Sequence, residues 1–220
     1  MKSAQITFNG NDFVGIFVKT NDFYTLVPSN ISKKNEEAIK RALDTQIIKT
    51  TISNSELLGI FSVINNNGIL LSPLSYSKEV KALKEFFDVV EVFDTQLVAI
   101  GNNIAANDKL AIISPLFSKK EEKFIQDVLN VETIKLTIAS HLTPGANMIL
   151  TNKGALVNPN LKEGEEEKLK EIGIKFFGGT LNYGTPYVGI CGVANKNGYC
   201  TGISSTGIEL NRIELIFTEF

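Results

Sequence analysis

The chain is poor in the residues on which most catalytic and nucleic-acid-binding sites depend. It has one histidine, His141, which excludes any site that needs two imidazoles, such as an H-E-x-x-H zinc helix. Its two cysteines, Cys191 and Cys200, stand nine positions apart with no C-x-x-C spacing and no histidine cluster beside them. They are expected to be reduced packing residues, not a disulfide framework. The 22 basic residues include only two arginines, Arg41 and Arg212, and face 24 acidic ones for a formal net charge of -2. Nucleic-acid affinity comes largely from basic side chains on phosphates, and base contacts favour arginine, so a primary nucleic-acid binder is not expected. Long apolar runs are missing too. The stretch from Leu57 to Ile64 is broken by Gly59 and Ser62 and falls far short of the roughly 20 residues of a spanning helix. No Gly-Lys-Ser/Thr closes a glycine-rich stretch, and the glycines between Gly178 and Gly192 lack the G-x-G-x-x-G spacing of a dinucleotide fold. The N-terminal MKSAQITFNG holds no hydrophobic signal region. A soluble, cytoplasmic protein is expected.

What is present is a repeat. The 220 residues, 43% hydrophobic and 21% charged, suffice for a substantial core. A glycine opening an apolar run, a polar turn, and a second apolar run ending near proline recur along the chain. Gly15, Gly59, Gly101, Gly145 and Gly189 are separated by 44, 42, 44 and 44 residues. In the first four units Pro28, Pro73, Pro115 and Pro159 follow the glycine by 13, 14, 14 and 14 residues, and Ile203 takes the proline's place in the fifth. The turns are Asn21-Asp22, Asn67-Gly68, Asn107-Asp108, Asn152-Lys153-Gly154 and Asn197-Gly198, residues that tolerate the positive φ angles of β-hairpins. Each proline, and Ile203 in the fifth unit, leads into a charged helical stretch: Lys33 to Leu43, Ser77 to Phe87, Ser118 to Leu129, Lys162 to Ile172 and Thr206 to Phe217. Val80, Leu83, Phe86 and Phe87 keep the 3–4 spacing of one buried face. Charge runs such as Lys33, Lys34, Glu36 and Glu37, or Glu165, Glu166 and Glu167, are expected on solvated outer faces. A β-branched strand with a threonine then follows: Gln46 to Ile52, Val89 to Thr95, Val131 to Ile138 and Ile174 to Thr180.

The fifth unit reaches Phe220 without such a strand, whereas Gln5 to Phe8 precedes Gly15 as Thr137-Ile138 precedes Gly145. The N-terminal strand is therefore expected to complete the last unit and close a five-fold ring over residues 1–220, a single α+β domain, since an open solenoid would need polar caps.

Five strand–strand–helix–strand units about a pseudo-five-fold axis resemble the pentein fold, a closed α-β propeller. Within it the sequence is similar to the translation initiation factor 6 family, the ribosome anti-association factors. Ala99-Ile100-Gly101-Asn102 with Asn107-Asp108 resembles the family's A-L-G-N…N-D stretch. Gly145 to Pro159, with Thr151-Asn152-Lys153-Gly154 inside it, is similar to its fourth repeat. Gly202 to Leu210 resembles its G-x-D-T-T-x-x-E-L ending, with Ser204 where the family usually has Asp. Length and repeat phase match the archaeal form over essentially the whole chain. The resemblance implies docking on the large ribosomal subunit where the small subunit would sit, separation of the two by occupied space, and a part in large-subunit maturation. It implies a partner that is chiefly a ribosomal protein beside the sarcin–ricin loop, little direct RNA binding and no membrane. No catalytic residue, cofactor or metal is implied, and a monomer is expected.

The competing reading is a guanidine-modifying hydrolase of the same fold, which would need Cys191 as thiolate and His141 as acid/base. Against it, Cys191 falls in the apolar run Gly189-Ile190-Cys191-Gly192-Val193, read as a buried strand, and Ser140 to Pro144 carries no carboxylate. Pseudo-symmetry puts Ile16, Ile60, Asn102, Ala146 and Ile190, each following a repeat glycine, at equivalent points where the first strands start. They are the candidate partner-binding residues, and the resemblance puts the large-subunit contact at that end, Asn102 matching the family's G-N step. The isoleucines could instead fill the axial core, and Asn102 could cap a turn.

Overall fold

In the computed structural model, which describes residues 1–218, the repeat becomes five copies of one packing unit; Phe220 lies outside the described residues. Strand β1 (Lys2–Ile6) comes first. Unit one then runs α1 (Val14–Phe17), β2 (Lys19–Thr20), β3 (Tyr24–Pro28), α2 (Lys33–Leu43) and β4 (Gln46–Thr50). Unit two is α3 (Leu58–Phe61), β5 (Ser62–Ile64), β6 (Ile69–Leu71), α4 (Ser77–Leu83) and β7 (Val90–Val92). Unit three is α5 (Ile100–Asn103), β8 (Ile104–Ala106), β9 (Leu110–Ile113), α6 (Lys119–Leu129) and β10 (Glu132–Lys135). Unit four is α7 (Pro144–Asn147), β11 (Met148–Leu150), β12 (Ala155–Val157), α8 (Glu163–Glu171) and β13 (Phe176–Gly178). Unit five is α9 (Val188–Cys191), β14 (Gly192–Ala194), β15 (Gly198–Gly202) and α10 (Gly207–Thr218).

Among the described residues these strands form five three-stranded sheets. In each, an antiparallel hairpin supplies an edge and the central strand, and a parallel third strand follows the long helix. Unit five takes its third strand from the other end of the chain. β1 pairs β15 in parallel from Lys2 opposite Gly198 to Ile6 opposite Gly202. The strand lies three residues earlier than the Gln5-to-Phe8 expectation, and Phe8 instead forms an isolated bridge with Asn11.

The long helices form for local reasons. Ser32 and Ser118 accept the third helical N–H of α2 and α6, and Asp44 and Asn130 end them at φ 52° and 50° in the left-handed region. Their inward faces, Ile39, Ala42 and Leu43 in α2 and Ile125, Val128 and Leu129 in α6, are buried. Each apolar cluster joins two neighbouring units. Leu26 and Ile48 of unit one pack with Leu58 and Leu71 of unit two. Val63 and Leu70 pack with Ile113 and Ile125, Ala105 and Ile112 with Val157 and Leu169, and Ile149 and Leu156 with Val188 and Ile213. Val193 and Cys200 of unit five pack with Val14 and Ile39 of unit one. The core thus lies between units, and its succession returns to its start.

Several expectations need correction. The repeat glycines do not open strands; each is the second residue of a one-turn helix that precedes the first strand. Cys191 accordingly ends α9 and is not on a strand. The structurally equivalent turn residues, six after each glycine, are Asn21, Asn65, Asn107, Thr151 and Asn195, so Asn67 and Asn197 stand two positions late. Glu165 is not on a solvated face: it is buried, with a bonding role described below, while Glu167 is exposed.

Candidate partner-binding end

The five one-turn helices meet at one end of the molecule. Their N-terminal residues Phe13, Leu57, Ala99, Thr143 and Tyr187 offer no side-chain cap, so packing and not capping holds them. α1 packs on α3, α3 on α5, α5 on α7, α7 on α9, and α9 on α1. At each contact the glycine is essential for space. A Cβ on Gly59 would meet the carbonyl oxygen of Gly15, one on Gly101 that of Gly59, one on Gly145 that of Gly101, one on Gly189 that of Gly145, and one on Gly15 that of Gly189.

The five candidate residues follow these glycines and so stand around one junction. Ile16, Ile60, Asn102, Ala146 and Ile190 are all half-buried. The carbonyl carbon of Ile190 lies against Gly15 and that of Ala146 against Gly189. Ile190 also packs on the apolar cluster of units four and five. Asn102 donates its backbone N–H to Ala99 at 3.0 Å, and its side-chain amide has no bond among the described residues. The neighbouring Asn103 and Asn147 spend theirs internally, donating to the carbonyls of Ala99 and Thr143 at 2.9 Å each.

Around the junction lie the loops that end the central strands and precede the short helices. They carry Leu74, Leu116, Leu142, Tyr183, Tyr187 and Ile203, all exposed. His141 is exposed and meets the Tyr187 ring edge-on at 5.4 Å between centroids.

A recurring clamp fixes these loops. Glu79, Glu121, Glu165 and Glu209, each at the third position of its long helix, accept the hydroxyls of Thr51, Thr95, Thr137 and Thr180 at 2.8, 2.6, 2.5 and 2.8 Å. Each also accepts the backbone N–H where its own helix begins, from Tyr76, Ser118, Lys162 and Thr206. Glu79 takes the N–H groups of Ser53 and Asn54, Glu165 that of Ser140, and Glu209 that of Gly184. Ser53, Asn54, Ala139, Ser140, Asn182 and Tyr183 all have φ between 49° and 64°, a strained region that such bonds stabilise. Burial alone would raise these carboxyls, but the hydrogen bonds outweigh it and hold all four below the usual glutamate range. Unit one departs from the pattern: Asn35 occupies the helix position and donates to the carbonyl of Thr7 at 2.8 Å.

Ser204 has a structural use. Its N–H and hydroxyl both donate to the Asp12 carboxylate, linking unit five to the loop before α1. An aspartate at 204 would set two carboxylates against each other there.

The hydrolase constellation is not assembled. Cys191 is fully buried, and burial, with the Glu209 charge as a smaller contribution, pushes its thiol up to about 12. A thiol so protonated is a poor nucleophile, and His141 lies exposed on another unit's loop. Cys200 is buried and free, its thiol also pushed up to about 12 by burial. Among the described residues no group of three acidic, histidine or cysteine side chains could hold a metal ion, and no helix is long and apolar enough to cross a membrane.

The chain is 39% identical over 219 residues to translation initiation factor 6 of Sulfolobus acidocaldarius, covering 98% of both chains. It is 38% identical to that of Saccharolobus islandicus (97% of this chain, 98% of the relative) and 34% to that of Pyrococcus abyssi (97% of each). Residues 3–216 match the family model described as "eIF-6 family". With the repeat of the short helices and their glycines running through the matched length, this chain belongs to the eIF-6 family.

Proposed function

We propose that this protein is a translation initiation factor that binds the large ribosomal subunit through the end where the five short helices meet, and thereby keeps the small subunit off. The whole chain acts as one closed five-fold α-β propeller of the pentein type, in the cytoplasm, as a monomer and without catalysis. It also accompanies large-subunit maturation. Its chief contact is a ribosomal protein near the sarcin–ricin loop, with little direct RNA binding.

The observation that carries this reading is the make-up of that end. Exposed Leu74, Leu116, Leu142, Tyr187 and Ile203 surround half-buried Ile16, Ile60 and Ile190, with the unbonded amide of Asn102 among them. A largely apolar patch, with the Asn102 amide and the exposed rings of Tyr183, Tyr187 and His141 as its hydrogen-bonders, suits a protein partner better than a phosphate cradle. A net charge of -2 agrees, because the affinity then need not come from phosphates. The test is sedimentation with purified subunits. The protein should travel with large subunits and not with small ones, and it should lower the yield of joined ribosomes when added before the small subunit. Equal binding to both subunits, or none to the large one, contradicts the proposal.

A further inference from the structure

A cavity of about 50 Å³ lies at the centre of the molecule, lined by the first strands of all five units. Thr20, Ile64, Ala106, Leu150 and Ala194 are at its wall with Val63, Ala105, Ile149 and Val193, which stand four residues after their repeat glycines. The first unit has Lys19 at that position. No carboxylate is among the residues that line this cavity. Asp22 and Asp108 line an adjoining pocket that shares Thr20, Ile64, Ala106, Leu150 and Ala194 with the cavity, but their carboxylates take the amides of Asn66 (3.0 and 2.6 Å) and Asn152 (3.3 and 2.5 Å). Among the described residues no ion pair or hydrogen bond engages the Lys19 amine, and the residue is half-buried where it borders the cavity. Burial pulls it down to about 8, leaving most of it charged at neutral pH.

An ammonium that borders a cavity without an acidic partner is compensated best by an anion beside it. Backbone donors are also at hand: β2, β5, β8, β11 and β14 are the edge strands of their sheets, so alternate N–H groups lack a ladder partner. We propose that the central cavity is an anion site that takes one small monovalent anion of the size of chloride from solution, with the Lys19 ammonium as its counter-charge. The anion is a structural ligand: it binds the folded chain alone and stabilises it by mass action.

The test has two arms. Crystals of protein purified and grown in sodium bromide should show an anomalous peak within about 3.5 Å of Lys19 Nζ, the reach of an ammonium–halide contact. In solution, chloride should raise Tm above that in gluconate at equal ionic strength by about 4 °C between 10 mM and 1 M, and Lys19→Met should abolish the difference. Met is chosen because four units already hold apolar residues there, and the crystal arm stands if the variant fails to fold. A bromide-grown crystal with water alone beside Lys19, or a chloride effect that survives Lys19→Met, overturns the proposal.

Discussion

The side-chain amide of Asn195 donates to the carbonyl oxygen of Asn21 at 3.0 Å, joining the fifth unit to the first across 174 positions of sequence. The same bond runs from Asn21 to Asn65 at 2.8 Å, from Asn65 to Asn107 at 3.0 Å and from Asn107 to Thr151 at 3.1 Å. The hydroxyl of Thr151 instead donates to Gly154 within its own turn. Asn195 also donates to Leu43 at the end of α2 and accepts the N–H groups of Asn197 and Gly198. Asn195→Ala leaves several buried groups unpaired and is expected to lower unfolding free energy by about 2–4 kcal/mol. Urea denaturation measures it; a loss within experimental error of zero would show that the fifth-to-first contact carries no stability.

The terminal strand carries the same join on the opposite edge of the sheet. Ala4, Ile6 and Phe8 are buried in the cluster shared by units five and one. Deleting Met1 to Asn9 removes β1 and exposes β15, with its apolar neighbours, as an unpaired edge. Aggregation and a large fall in Tm are expected. A truncated protein melting cooperatively within a few degrees of the parent contradicts the closed arrangement.

The glycine junction can be tested against a glycine of the same chain that has room. Gly59→Ala drives a methyl into the backbone of Gly15, which cannot yield as a side chain would, and should cost more than about 3 kcal/mol. At Gly164, inside α8, an added methyl would find nothing within 4 Å. Gly164→Ala should stabilise by roughly 0.5–1 kcal/mol through helix propensity. Thermal unfolding of the two variants side by side decides it, and a Gly59→Ala protein as stable as the parent would show that the two short helices have room to part.

The four clamps set an acid limit. Because Glu79, Glu121, Glu165 and Glu209 are held below the ordinary value in the folded chain, the stability they contribute is complete above the unfolded value of about 4.3. It is lost as pH falls through the lower folded values. Urea midpoints should therefore be steady from pH 7 to about 5 and drop steeply below about 4. Glu165→Gln should flatten that drop and cost about 1–2 kcal/mol at pH 7, whereas exposed Glu167→Gln should change little.

Much of this architecture was legible in the sequence because each unit repeats it. Gly15 through Gly189 gave the period, the Asn-rich turns the hairpins, and the likeness of Gln5 to Phe8 to Thr137-Ile138 pointed to the N-terminal strand. The one-turn helices were hidden: Val14–Phe17 and Leu58–Phe61 are apolar, four residues long and without capping side chains, so they read as strand. The clamps were hidden for another reason. Thr137 and Glu165 are 28 positions apart, and a charged residue beside Glu166 and Glu167 looks like part of a solvated face. The signal that could have found them is the recurrence of a threonine one to three residues after one unit's third strand and a glutamate at the third helical position of the next. At the short-helix end, pseudo-symmetry groups Ile16, Ile60, Asn102, Ala146 and Ile190, whereas Lys19 is hidden because one lysine among apolar equivalents breaks no periodicity.

The claim that the short-helix end meets the large subunit is tested most directly by measuring the affinity of purified large subunits for matched variants. Asn102→Asp and Ile60→Lys alter that end, while Phe23→Lys alters an exposed side chain at the Asn-rich turns opposite. Losing a central interface hydrogen bond typically costs about 1 kcal/mol or more. Asn102→Asp and Ile60→Lys should each bind at least a few-fold more weakly with Tm near the parent's, and Phe23→Lys should bind as the parent does. Undiminished binding by the first two together with loss of binding by Phe23→Lys would place the contact on the opposite end and contradict the account.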